Sequence, residues 1–142
     1  MFEKDGLNAL YKKHRKTLTK VNEVKAALNA RFFEMDDAIE CLMIAAMSGE
    51  AMVMIGPPGT AKSRLMRSFC NLLGLIPDAA LRGDGVADQS EDSYFEYLLT
   101  QFTEPSELFG YYDLAMLNDG KGLMRMEQNM MQRAQIVFLD EV

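Results

Sequence analysis

Apolar positions along the chain recur first at helical spacing and later in short continuous runs. From about Leu7 to Leu28 they fall at Leu7, Tyr11, His14, Leu18, Val21, Val24 and Leu28, one face of a long helix. Lys12, Lys13, Arg15, Lys16 and Lys20 mostly face away from that stripe, as a solvated face or as a patch for an acidic partner. A second helix is expected from about Met35 to Ser48. Its first turn carries Asp36, Asp37 and Glu40, where the helix dipole favours acids. Ala38, Ile39, Leu42, Met43 and Ala46 make its apolar face, and Gly49 offers a left-handed stop.

The period then changes. Ala51-Met52-Val53-Met54-Ile55 reads as a parallel strand buried on both faces. A Gly/Pro-rich loop follows, then a helix with Leu65, Met66, Phe69, Leu72 and Leu73 inward and Gly74 as its stop. Residues 81–93 are polar and read as a surface connection. A second strand is expected over Tyr94–Leu99, and Pro105-Ser106-Glu107 starts a helical turn. Two apolar runs between Leu114 and Met126 flank Asn118-Asp119-Gly120, a hairpin signal because these residues tolerate positive φ. Ile136-Val137-Phe138-Leu139 is a buried strand ending in Asp140-Glu141.

The loop carries the chemistry. Gly56-Pro57-Pro58-Gly59-Thr60-Ala61-Lys62-Ser63, between strand and helix, has the context of a phosphate loop. Backbone N–H groups freed from strand pairing converge on phosphate oxygens there, and the helix N-terminus adds positive potential. Gly56 and Gly59 let the backbone wrap closely. Lys62 would reach the β and γ phosphates of ATP, and Ser63 would place its hydroxyl on Mg²⁺. Ala61 stands where the pattern has its second glycine, and a methyl group is tolerable there if the backbone is already helical. The acid-ended strand supplies the second half: Asp140 orients the magnesium's water shell and Glu141 polarises the attacking water. A glutamate after the magnesium aspartate favours hydrolysis over transfer, and no guanine-reading Asn-Lys-x-Asp run occurs.

Bulk properties narrow the class. At 142 residues the chain can bury a core, and a net charge of −6 excludes a nucleic-acid coat. Cys41 and Cys70 lie in apolar stretches without metal spacing and are expected to be buried free thiols. No apolar run approaches the roughly 18 residues of a membrane span, so no membrane contact and a cytoplasmic location are expected. Twelve methionines give an adaptable core or contact surface. His14, without a second ligand nearby, is not a catalytic candidate.

These residues resemble an AAA+ ATPase of the MoxR/RavA-like group, whose phosphate loop reads Gly-Pro-Pro-Gly-x-Ala-Lys-Ser/Thr; Ala61 becomes a family mark. The stretch Phe102-Thr103-Glu104-Pro105-Ser106-Glu107-Leu108-Phe109-Gly110 is similar to the segment after that family's second strand. The Asn118-Asp119-Gly120 hairpin is placed like its helix-2 insert, and the terminal run matches its Walker B strand. The resemblance covers about Val21 to Val142. It implies an α/β fold, a P-loop NTPase αβα sandwich with a mainly parallel sheet. It also implies an ATP- and magnesium-dependent remodeller, a homo-hexamer acting on partners such as von Willebrand factor A domain proteins, with no nucleic acid expected. Phe32 and Phe33 sit where the family lines its adenine pocket, although a hydrophobic staple explains them as well.

By the same resemblance, residues 1–20 are a helical extension and 21–142 the N-terminal half of the ATPase domain. A sensor strand, an arginine finger and a helical lid would follow. The chain is expected to be a fragment, to be completed by another chain, or to pair its two motif strands directly, and to be inactive alone. A nucleotide-dependent binding module without turnover stands as the alternative.

Overall fold

α1 (Lys4–Arg31) and α2 (Asp36–Ser48) form a helical hairpin. The computed structural model describes residues 4–57, 59–78, 81, 93–118, 120 and 122–141. The chain divides into two compact units between Leu65 and Met66. In the first, Val24 and Leu28 of α1 are buried, as are Ile39, Leu42 and Met43 of α2. Each such side chain contributes roughly 1.5–3 kcal/mol when taken from water, so this stripe outweighs the ion pair from Lys25 to Glu40 at 3.2 Å. Glu34 turns the corner at φ 57°, and Gly49 ends α2 at φ 72°.

Three expectations for this unit are corrected. The stripe on α1 is covered only toward its C-terminal end: residues 8–20 are exposed, including Tyr11, His14 and Leu18. The cause is length, since α1 has 28 residues and α2 has 13, about 42 Å against about 20 Å at 1.5 Å per residue. Cys41 is exposed on α2, because the buried stripe runs through Ile39, Leu42 and Met43 instead. The run Ala51–Ile55 is not a buried strand. Val53 is 82% and Ile55 97% exposed, whereas Met52 and Met54 are half-buried. The two-residue alternation survives, but no strand pairs with this run among the described residues. A strand needs a neighbour's N–H and C=O groups, and the described elements of this unit are helices.

α3 (Lys62–Leu72) starts in the first unit and ends in the second. Leu65, Met66, Phe69 and Cys70 are its buried face; Leu73, beyond the helix end, is exposed. Gly74, at φ 78°, closes it, with Leu75 N–H bonding Cys70 C=O at 2.9 Å. In the second unit β1 (Tyr94–Leu98) pairs in parallel with β4 (Ile136–Asp140), Tyr94 opposite Ile136 and Leu98 opposite Asp140. Phe95 and Phe138 are buried on these strands, with Val137 on the opposite face partly exposed. The two acid-side ends therefore finish together, and Leu99 N–H continues the ladder onto Asp140 C=O at 2.9 Å.

Between these strands come α4 (Pro105–Phe109), β2 (Tyr112–Asp113), α5 (Leu114–Asn118), β3 (Met124–Arg125) and a 3₁₀ turn, Met131–Arg133. Pro105 opens α4, and the Glu107 carboxylate accepts the Glu104 N–H at 2.9 Å. Gly110, at φ 88°, has no room for a side chain: a Cβ would lie 1.8 Å from Met126 C=O. The expected hairpin is corrected in form. β2 and β3 are antiparallel, Tyr112 opposite Arg125, but the apolar run before Asn118 is helical. Asp113 explains it, accepting the Ala115 and Met116 N–H groups at 2.9 and 3.2 Å as a helix cap. Asp119 and the 82–92 connection lie outside the described residues.

Candidate nucleotide-binding site

The loop of residues 56–63 closes around its own lysine. Lys62 Nζ donates to Gly56 C=O at 2.9 Å, to Pro57 C=O at 3.1 Å and to Thr60 Oγ1 at 3.4 Å. The Thr60 hydroxyl in turn donates to Pro57 C=O at 2.8 Å. A single cation thus ties the two ends of the loop together within the curve of its backbone. Gly59 takes φ 82°, a conformation open to glycine at little cost. Lys62 and Ser63 are the first two residues of α3, so both stand at the positive end of its dipole. The Leu65 N–H bonds Ala61 C=O at 2.8 Å, the first helical hydrogen bond. Pro58 lies outside the described residues.

Ala61 does not have the helical backbone that would make its methyl group tolerable without strain. Its φ is 59°, in the left-handed region, where an L-residue with a Cβ is disfavoured by roughly 1–2 kcal/mol. The position that usually holds glycine does require a glycine-like backbone here, and alanine occupies it under strain. Thr60 is the residue whose part the sequence reading understated. A hydroxyl in the middle of a phosphate loop was the signal, since Thr is a ready donor to a carbonyl two or three residues away.

In the second unit Asp140 ends β4 half-buried, and its Oδ1 accepts the Glu141 N–H at 3.1 Å. Glu141 is exposed with φ 60°, turning its side chain out of the strand's alternation. It forms one wall of an open cleft of about 700 Å³ with Leu99, Thr100, Thr103, Pro105 and Leu108. Tyr97 donates its hydroxyl to Glu107, whose carboxyl is held below the usual range by the Glu104 backbone N–H and then by Tyr97. The same bond raises the Tyr97 phenol above its ordinary value.

The adenine-pocket candidates part company. Phe32 is buried in the first unit's core, whereas Phe33 is 88% exposed. A magnesium ion bound with ATP takes most of its ligands from phosphate and water, needing only one or two protein oxygens. Ser63 in the first unit and Asp140 in the second each carry an oxygen of that kind, and among the described residues no cluster of three acidic, histidine or cysteine side chains offers a self-sufficient cage. Each of those two oxygens is a hard donor, the kind magnesium takes. No helix of the described residues is long and apolar enough to cross a membrane.

Comparison with known proteins places the chain. It matches the model of the MoxR domain in the MoxR-vWA-beta-propeller ternary systems over residues 19–77 and 79–142. The chain belongs to this MoxR family, and through it to the AAA+ ATPases. Two uncharacterized proteins of Methanocaldococcus jannaschii, MJ0079 and MJ0812, are similar. They are 31% and 30% identical over 87% and 86% of the chain. The structural protein ORF618 of Acidianus two-tailed virus is 25% identical over 86% of the chain and 17% of its own length. The chain spans 28% of the length of each archaeal relative. No solved structure matches it.

Proposed function

We propose that this chain is the nucleotide-binding part of a MoxR-type ATPase. Residues Gly56 to Ser63 hold the triphosphate, and Asp140 and Glu141 serve magnesium and the attacking water. The observation that carries this is the curled Lys62: an ammonium held inside a loop bent by left-handed Gly59 and Ala61 at a helix N-terminus is a prepared counter-charge for phosphate. Magnesium, when bound, neutralises charge on the β and γ phosphates. In this reading the core belongs to the αβα sandwich of its family. The β2–β3 region is the helix-2 insert, residues 1–20 are an appended extension and 21–142 begin the ATPase domain.

Turnover, a hexameric ring and remodelling of a von Willebrand factor A domain partner are assigned to the protein as a whole. The family's printed description names such a domain beside the MoxR one. Binding is tested directly by titrating the chain with a fluorescent ATP analogue and magnesium. Lys62→Ala should weaken binding by about a hundredfold, the loss of a charge-assisted contact worth ~2–3 kcal/mol. Equal binding by the variant, with its helicity intact, would remove the loop from the site.

The likeness to a viral structural protein favours a second reading, an assembly module that uses nucleotide without consuming it. The two readings part at Glu141.

A further inference from the structure

Lys62 has a partner within its own loop for each of its donors. An ammonium carries three N–H groups and no acceptor. The three acceptors are Gly56 C=O at 2.9 Å, Pro57 C=O at 3.1 Å and Thr60 Oγ1 at 3.4 Å. These contacts are unequal. The two carbonyls are backbone groups at ordinary hydrogen-bond lengths, whereas the hydroxyl contact is the longest and belongs to an exposed side chain.

The Thr60 hydroxyl is fixed in direction. Its one proton goes to Pro57 C=O at 2.8 Å, so it faces the ammonium with a lone pair. Pro57 C=O accepts from both Lys62 and Thr60, which closes a ring of three hydrogen bonds. A Cβ added at Gly56 would lie 3.4 Å from the same Thr60 oxygen, so the hydroxyl also stands against the first residue of the loop. Left-handed residues flank Thr60 on both sides, Gly59 at φ 82° and Ala61 at φ 59°. The strain at Ala61 thus accompanies the placement of a neutral oxygen beside Lys62.

We propose that Thr60 is a positioning residue whose hydroxyl oxygen holds the Lys62 donor that a phosphate oxygen of the nucleotide takes over. The inference rests on the reading of residues 56–63 as the triphosphate site and adds a competitor built into that site. The two carbonyl bonds keep the ammonium in the loop while its third donor changes partner. A phosphate oxygen carries charge and a hydroxyl oxygen does not, so the exchange runs toward nucleotide. The hydroxyl lowers the affinity without abolishing it.

The test titrates the whole 142-residue chain with a fluorescent ATP analogue and magnesium. Thr60→Val keeps the branched shape and removes the acceptor. It should tighten binding by about threefold to fivefold, the worth of one modest hydrogen bond. Thr60→Ser, which restores the hydroxyl, should return the affinity of the unaltered chain. In a Lys62→Ala background Thr60→Val should change nothing, because its effect passes through the ammonium. Thr60 is exposed and precedes α3, so circular dichroism should be unchanged throughout. A hydroxyl that only braces the loop gives the opposite sign: Thr60→Val then weakens binding, with or without Lys62, and the proposal is overturned. Unchanged affinity in Thr60→Val, beside a clear loss in Lys62→Ala, overturns this inference alone. Unchanged affinity in Lys62→Ala overturns the reading of the loop and this inference with it.

Discussion

Arg67 on α3 clasps Glu96 on β1 through two parallel hydrogen bonds, Nε to Oε2 at 2.8 Å and a terminal nitrogen to Oε1 at 2.9 Å. Tyr94 donates its hydroxyl to the same carboxylate at 3.1 Å. The Glu96 carboxylate raises the Arg67 guanidinium above its ordinary value. Burial first, and Glu96 second, push the Tyr94 phenol well up. This pair ties α3 at Arg67 to β1, a contact within the second unit. Because the Arg67 side chain is 40% exposed, solvent screening limits the coupling between the two to about 1 kcal/mol. A double-mutant cycle with Arg67→Met and Glu96→Gln, read by urea denaturation, should return that value. Glu96→Ala should cost more than Arg67→Met, since it also strands the Tyr94 hydroxyl. Additive effects would reduce the clasp to a surface contact.

The two cysteines should behave oppositely. Cys41 is exposed and Cys70 buried, and burial, followed by the nearby Glu96, pushes the Cys70 thiol up to about 12. The thiolate is the reactive form. In the native chain at pH 8, a thiol-specific reagent should therefore label Cys41 alone; in denaturant it should label both. The sign of the linkage follows. The raised value means the unfolded chain releases this proton first, so the stability from a buried neutral Cys70 is full below about pH 9 and declines as pH rises toward 12. Cys70→Ser should not show that decline. Rapid labelling of Cys70 in the folded chain would contradict the buried placement.

Ala61 offers a test with an unusual sign. Alanine to glycine in the middle of a helix costs about 1 kcal/mol, and Ala26→Gly in α1 should show that loss. At Ala61 the backbone is left-handed, so glycine relieves about 1–2 kcal/mol against an entropic cost of about 0.4–1 kcal/mol in the unfolded chain. Ala61→Gly should be neutral or modestly stabilising in thermal denaturation. Equal losses at both positions would mean that the loop does not hold Ala61 at positive φ.

The pattern along the chain was legible wherever a local signal decided the outcome. Gly49 stops α2, Gly74 stops α3, and the runs at Tyr94 and Ile136 are strands in register. What failed depended on partners distant in sequence. Ala51–Ile55 alternates as a strand does, yet local pattern cannot supply the neighbour that a ladder requires. The stripe on α1 was correctly placed, but how much of it is covered depends on the length of α2. At α5 the signal was present and misread: Asp113 before Leu-Ala-Met-Leu is a capped helical start, and it outweighed the turn residues that follow. In the candidate site the residues were legible and the backbone was not, since nothing in the loop's sequence dictates the sign of φ at Ala61.

Glu141 decides between the two functional readings. It follows Asp140 at the end of β4, exposed, with a left-handed backbone that aims it away from the strand's own alternation. A carboxylate so placed is suited to accept a proton from water, and an amide of the same shape is not. In the full-length protein, Glu141→Gln should leave ATP binding within about twofold and lower kcat by about a hundredfold or more, the range of a lost general base. Under the assembly reading, the unaltered protein binds nucleotide without steady turnover, and the substitution changes neither quantity. Hydrolysis that survives Glu141→Gln undiminished would deny this glutamate the role of base under either reading. Single-turnover measurement separates a lost chemical step from slow release: only the former removes the phosphate produced in the first cycle.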